Sequence, residues 1–376
     1  MSSFTPLRII ATLFVSATAS LRAESYFTYF GTTGAATKGI YRSTFDTEKG
    51  QLAAPELAAE IGAPGFLAVH PDGKKLYAVA NTASGPGVAG YRVGADGSLI
   101  LINTSTTGDG GGSHVIVHPS GKFLVTAQYG GGSVAVFPLD GEGRLGAAKV
   151  TEHDNPSRVV PSRQDVPHPH SCFFSPDGRF ALVPDLGKDG MVIYRVNEQA
   201  TALEPHGFAP SEAGGGARHL KFSPDGKFVH LLNEITLSVT TYAWDAATGV
   251  ARQLATVPAL SAEAKAKEAS SSAAEIVVHP NGRAVYSSNR GHDTVTVYRR
   301  DPGTSALSVV QVQPVRGAFP RNINLAPEGG WLLAAGQDSN TVAVHKVDPQ
   351  TGLLTFQTKS IVNVPGPICI VFMKRG

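Results

Sequence analysis

Cysteine is nearly absent: the 376 residues hold two, Cys172 and Cys369, 197 positions apart. A disulfide needs neighbouring positions, and nothing in the sequence brings these together, so both are read as buried thiols. No Cys-x-x-Cys and no His-Glu-x-x-His occurs, which speaks against a thiolate or zincin metal site. Helical periodicity never lasts more than two turns, and no apolar run beyond the first 20 residues could span a membrane. The Gly-rich runs 110–112, 130–132 and 214–216 precede no Lys-Ser/Thr and open no helix, so a phosphate loop is not expected.

An excess of one charge is also missing. Residues 1–23 have the layout of a secretory signal peptide: Arg8, then Ile9-Ile10-Ala11-Thr12-Leu13-Phe14-Val15, then small residues, with cleavage expected after Ala19 or Ala23. Their removal takes Arg8 and Arg22 from 32 basic residues and no acid, leaving 30 basic against 30 acidic. A neutral mature chain has no electrostatic footprint for nucleic acid. The expectation is an exported, periplasmic or extracellular protein with no membrane segment after processing.

What the chain does have is glycine, 42 residues, proline, 25, and a repeat. The stretch from Phe66 to Asn81 reads as an apolar strand, a Pro71-Asp72-Gly73 turn and a second apolar strand. Proline presets the turn and glycine takes the position other residues resist. The turn recurs at Pro119, Pro176, Pro224, Pro280 and Pro327, at spacings of 48, 57, 48, 56 and 47. Two further strands follow each hairpin, as in 294–299 and 308–312. Four antiparallel strands per repeat is a β-propeller blade. The tail from Pro365 to Phe372 supplies one more innermost strand, and 26–30, 39–45 and 51–52 supply its partners. The expectation is an all-β, seven-bladed β-propeller over residues 24–376, its last blade closed by both termini. The two long repeats carry their extra residues in 151–168 and 258–272, the latter suited to a short helix. Both insertions precede an innermost strand and fall on one face.

Registering the repeats on the turn proline gives two rings. Six residues before it stand Gly65, Ser113, His170, Arg218, Ala274 and Arg321, with Gly366 opposite Phe372. Ten after it stand Asn81, Tyr129, Leu186, Glu234, Arg290 and Gln337. A first strand begins where its antiparallel partner ends, so both rings face the mouth carrying the long loops. His170, Arg218, Glu234, Glu275, Arg290 and Arg321 would converge there, with His168 and His219 at the flank. Guanidiniums match carboxylate or phosphate, and histidine or glutamate can take a proton from water. Taken singly, each is as readily a solvated channel residue; convergence carries the reading. His70, His118 and His279 precede the turn proline at the other end and are read as turn residues.

Pro167-His168-Pro169-His170, Arg218-His219-Leu220, Leu232-Asn233-Glu234, Ala273-Ala274-Glu275-Ile276, Ser288-Asn289-Arg290-Gly291-His292-Asp293, Pro320-Arg321-Asn322 and Gly336-Gln337-Asp338-Ser339 resemble the seven-bladed lactonase family. It includes propeller-type 6-phosphogluconolactonases and carboxy-cis,cis-muconate cyclases. The resemblance runs from about Tyr26 to Phe372. It implies a site at His170, Arg218, Glu234 and Arg290, with no metal or organic cofactor; His168, His219, Glu275 and Arg321 are expected to bind the substrate. It implies a sugar or other anionic lactone as substrate; a monomer is expected. The exported N-terminus departs from cytoplasmic phosphogluconate metabolism and leaves an unphosphorylated or different acidic lactone as an alternative. A propeller that only binds a ligand or partner, or one that cyclises a muconate, would use the same scaffold.

Overall fold

The computed structural model describes Met1, residues 25–268 and residues 270–375. The expected leader, 1–23, lies outside the described residues apart from Met1. The rest forms seven antiparallel sheets in one ring. Six are four-stranded, and the seventh is closed by the C-terminal strand Pro367–Lys374 pairing with the N-terminal strand Ser25–Thr32. The fourth strand of that closing blade comes in two pieces, Gln51–Leu52 and Glu56–Glu60, both on Gly39–Asp46. Blades one to six begin at their inner strands near residues 67, 114, 173, 217, 272 and 320. The seven-bladed architecture expected from the repeat is the one found.

Burial explains the strand pattern. Middle strands are covered on both faces by neighbouring blades, so Phe123–Gln128 is buried throughout, its polar Thr126 and Gln128 included. Outer strands face water on one side, and Leu307–Pro314 is accordingly mostly exposed or half-buried. The core therefore lies between blades. Phe180, Leu182 and Ile193 of blade three pack with Leu220, Val229 and Tyr242 of blade four. Cys172 and Cys369 are buried free thiols, as expected; burial pushes the Cys369 thiol up to about 12.

Each turn glycine donates its N–H to the carbonyl of the residue before the proline, and Gly73 does so at φ 66°. The three turn histidines do more than turn. In His70, His118 and His279 Nδ1 accepts a backbone N–H of the same turn. Nε2 then donates to the turn glycine of the next blade (Gly121, Gly178 and Gly329) at 3.0–3.1 Å. These bonds staple blade to blade at the face opposite the site.

Candidate active site

A β-bulge at the start of the inner strands sets the geometry. In blade four Ala217 pairs with Asn233 and His219 with Leu232, leaving Arg218 as the extra residue. Arg321 is the extra residue between Pro320 and Asn322 in blade six, and blade five shifts between Ala273 and Ile276. A bulge re-aims a side chain that strict alternation would turn into the sheet. Consecutive residues can then both serve the axis: Arg218 and His219 line the same cavity.

That cavity, about 520 Å³, opens at the expected mouth and is lined by His170, Arg218, His219, Glu234, Arg290 and Arg321, with Tyr129 and Ser113 beside them. Two sequence candidates stand elsewhere. Glu275 lies one layer deeper and lines a separate cavity of about 220 Å³ with Lys221, His114 and Asn322; with Ala274 it falls inside the register shift of blade five, between Ala273 and Ile276. His168 stands behind the wall: its ring stacks on Tyr129 at 4.4 Å and its Nδ1 meets the Tyr129 carbonyl at 2.7 Å. The closing blade also needs a correction. Its cavity residue is Ile368, extra in the pairing with Ser25–Thr32, while Gly366 lines a different groove. The tail has no turn of its own on which to set the count.

One carboxylate holds the guanidiniums. Glu234 accepts from Arg218 Nε at 2.8 Å through Oε2, which also forms an ion pair with Arg290 Nη2 at 3.1 Å, and from Arg163 Nη2 at 2.7 Å through Oε1. Arg218 also donates to the Ala274 carbonyl, and Arg290 to that of Ala273 at 2.9 Å. Burial would raise the Glu234 carboxyl, but Arg290 and Arg218 hold it well below the carboxylate range. Arg218 is lowered to about 9, by burial first and Arg290 next, and stays cationic at neutral pH. Arg321 makes no salt bridge among the described residues, although it lines the cavity. The site therefore carries an excess of positive charge.

His170 and His219 are both buried, with ring centroids 5.2 Å apart. Burial, reinforced by Arg218, keeps each neutral, well below the ordinary histidine value. His219 Nδ1 meets Glu275 Oε1 at 2.9 Å.

Counting from the turn finds residues on the repeat and misses those on insertions. Arg163 belongs to the long loop 151–168, has no counterpart in other blades, and reaches Glu234 only through the fold. The other insertion forms the expected helix, Ala262–Lys267, capped by Ser261 and tied by Lys265 to the Thr236 carbonyl beside the site.

Residues 27–372 match the family model described as "Lactonase, 7-bladed beta-propeller". The 6-phosphogluconolactonase of Bacillus subtilis is 31% identical over 353 residues, covering 93% of this chain and 99% of that one. The 6-phosphogluconolactonase of Formosa agariphila is 30% identical, covering 84% and 90%. Among solved structures, the periplasmic gluconolactonase of Pseudomonas aeruginosa superposes with a TM-score of 0.85 at 30% identity, covering 93% and 99%.

Proposed function

Because the chain belongs to the seven-bladed β-propeller lactonase family, we propose that it hydrolyses a sugar lactone in the axial cavity, without a metal. The observation that carries this reading is the convergence of Arg218, Arg290 and Arg321 on a cavity whose one lining carboxylate among the described residues is Glu234. Such a site favours an anionic, oxygen-rich ligand. Its guanidinium donors could meet the oxyanion that ester hydrolysis develops. The same cationic lining would repel a metal ion, and among the described residues no group of three or more His, Cys, Asp or Glu could hold one.

Water attacks the ring carbonyl carbon, and neutral His170 takes its proton. Arg218 and Arg290 stabilise the resulting oxyanion, and Arg321 holds an acidic substituent of the substrate. Collapse breaks the ring C–O bond, the ring oxygen takes the proton back from His170, and the hydroxy acid leaves. Glu234 is too well paired to act as the base; it fixes the guanidiniums in place. His219 bounds the cavity floor, while Glu275 and His168 act from behind it.

The substrate under this reading is a lactone with its own negative charge, and the chain acts on it as a monomer. The leader-like residues 1–23 and the likeness to a periplasmic gluconolactonase support action outside the cytoplasm. A pH-stat comparison of δ-gluconolactone, its 6-phosphate and a glucaric acid lactone tests the reading, with the protein dialysed against EDTA. Acidic lactones are expected to be opened with the higher kcat/KM. Arg218→Ala is expected to lose at least ~100-fold. Buffer-level rates on all three, or a rate indifferent to Arg218→Ala, would overturn it.

A further inference from the structure

We propose that Glu275 and His219 form a buried relay that sets the proton of His170 on Nδ1, leaving its Nε2 free to accept a proton from the attacking water. The proposal rests on the lactonase reading above and makes His170 the catalytic residue, with Glu275 and His219 as positioning residues.

Both Glu275 oxygens act as acceptors. Oε1 accepts the Ile276 N–H at 3.0 Å and Oε2 accepts Asn322 Nδ2 at 2.7 Å. The Asn322 amide cannot be turned the other way, because its Oδ1 already accepts the Ile370 N–H at 3.0 Å. Although burial raises the Glu275 carboxyl, Lys221 and Arg218 oppose that shift. A carboxylate surrounded by donors makes His219 Nδ1, 2.9 Å from Oε1, a donor as well. His219 is then bare at Nε2.

His219 Nε2 and His170 Nδ1 are both buried, and neither has a partner among the described residues. Their rings lie 5.2 Å apart at 66°. An unpaired nitrogen at each of two adjacent buried rings is costly, and one shared proton, direct or through a single water, relieves both. If His170 carries that proton on Nδ1, Nε2 is left bare as the nitrogen for the cavity that His170 lines. The reverse arrangement would make His170 a hydrogen-bond donor there and disable it as a base.

Other groups bear on the relay. His219 is faced by His114 of blade two and by the charges of Lys221, Arg218, Arg290 and Arg321. His170 is faced by Tyr129, Arg218, Glu234 and Arg321. All of these remain in the variants below.

Long-range ¹H–¹⁵N correlation on histidine-labelled wild-type protein reads the tautomers directly. The expected result is Nδ1–H on both His219 and His170; Nε2–H on His170 overturns the proposal. Glu275→Gln offers one neutral acceptor oxygen where the carboxylate offers two charged ones, so the hold on His219 Nδ1–H weakens and the Nε2–H tautomer should appear on both rings. Its kcat should fall about 100-fold or more with KM within threefold. The acid limb of its pH–rate profile should move to lower pH, as the imidazolium loses its counter-charge. Glu275→Asp should recover part of kcat. If Glu275→Gln folds and keeps its kcat within threefold, the relay is refuted and the lactonase reading survives. If the wild type opens no lactone, that reading fails, and the wild-type tautomers still decide the relay.

Discussion

Glu234 shows how a site residue can be found from sequence and its role still be set by its surroundings. Ten positions past the turn proline put it at the mouth, but three guanidiniums then take both of its oxygens. Replacing it with glutamine should leave those cations unopposed and destabilise the fold by about 3–5 kcal/mol. KM for an acidic lactone should not rise, and kcat should fall by less than tenfold; Tm and steady-state kinetics read the three. A loss of ~1000-fold in kcat at unchanged KM would make Glu234 the base instead. The buried histidines add a pH dependence. His114, His170 and His219 are held well below their ordinary value, and burial takes His230 to about 3 and His345 to about 4. Below about pH 6.5 the unfolded chain binds protons at these rings and the folded chain does not. Their stabilising effect is thus complete above that pH and lost as pH falls, by up to about 1.4 kcal/mol per unit for each ring. Thermal melts from pH 7.5 to 5 should show Tm falling monotonically.

At the scale of the element, the hairpin turns were legible because Pro-x-Gly encodes its own backbone, whereas the bulges were not. Nothing in Ala217-Arg218-His219 states that one residue will go unpaired; that follows from closing the strand pair at a crowded axis. Glycines divide the same way. Gly73, at φ 66°, has no neighbour within 4 Å of an added Cβ, and Gly73→Ala should cost only the left-handed backbone penalty, about 1–2 kcal/mol. Gly249, at φ 72°, sits under Phe180 of the preceding blade, where a Cβ would lie 2.2 Å from the ring. Gly249→Ala adds overpacking and should cost about 2–5 kcal/mol in total. Urea midpoints of the two variants test the difference, which belongs to the interface between blades and not to the turn.

For the whole molecule, the decisive contact is the pairing of the two ends. Tyr26 through Gly31 pair with Lys374 through Cys369, and both strands pack into the cores of blades one and six. Deleting residues 367–376 would expose the edge of Ser25–Thr32 and remove the inner wall at Ile368. The truncated chain should lose its cooperative thermal transition and bind a hydrophobic dye, because the lost burial is comparable to the net stability of a domain. Periodicity in the sequence determined the blade count, the turns, the closure and the mouth at which His170, Arg218, Glu234, Arg290 and Arg321 meet, since each is a statement about register along a repeated strand. The tertiary structure alone decided that Glu275 sits one layer down, that His168 stands behind Tyr129 and that Arg163 joins Glu234. Those placements depend on bulges and on loops without counterparts, where the distance along the chain no longer fixes the distance from the axis.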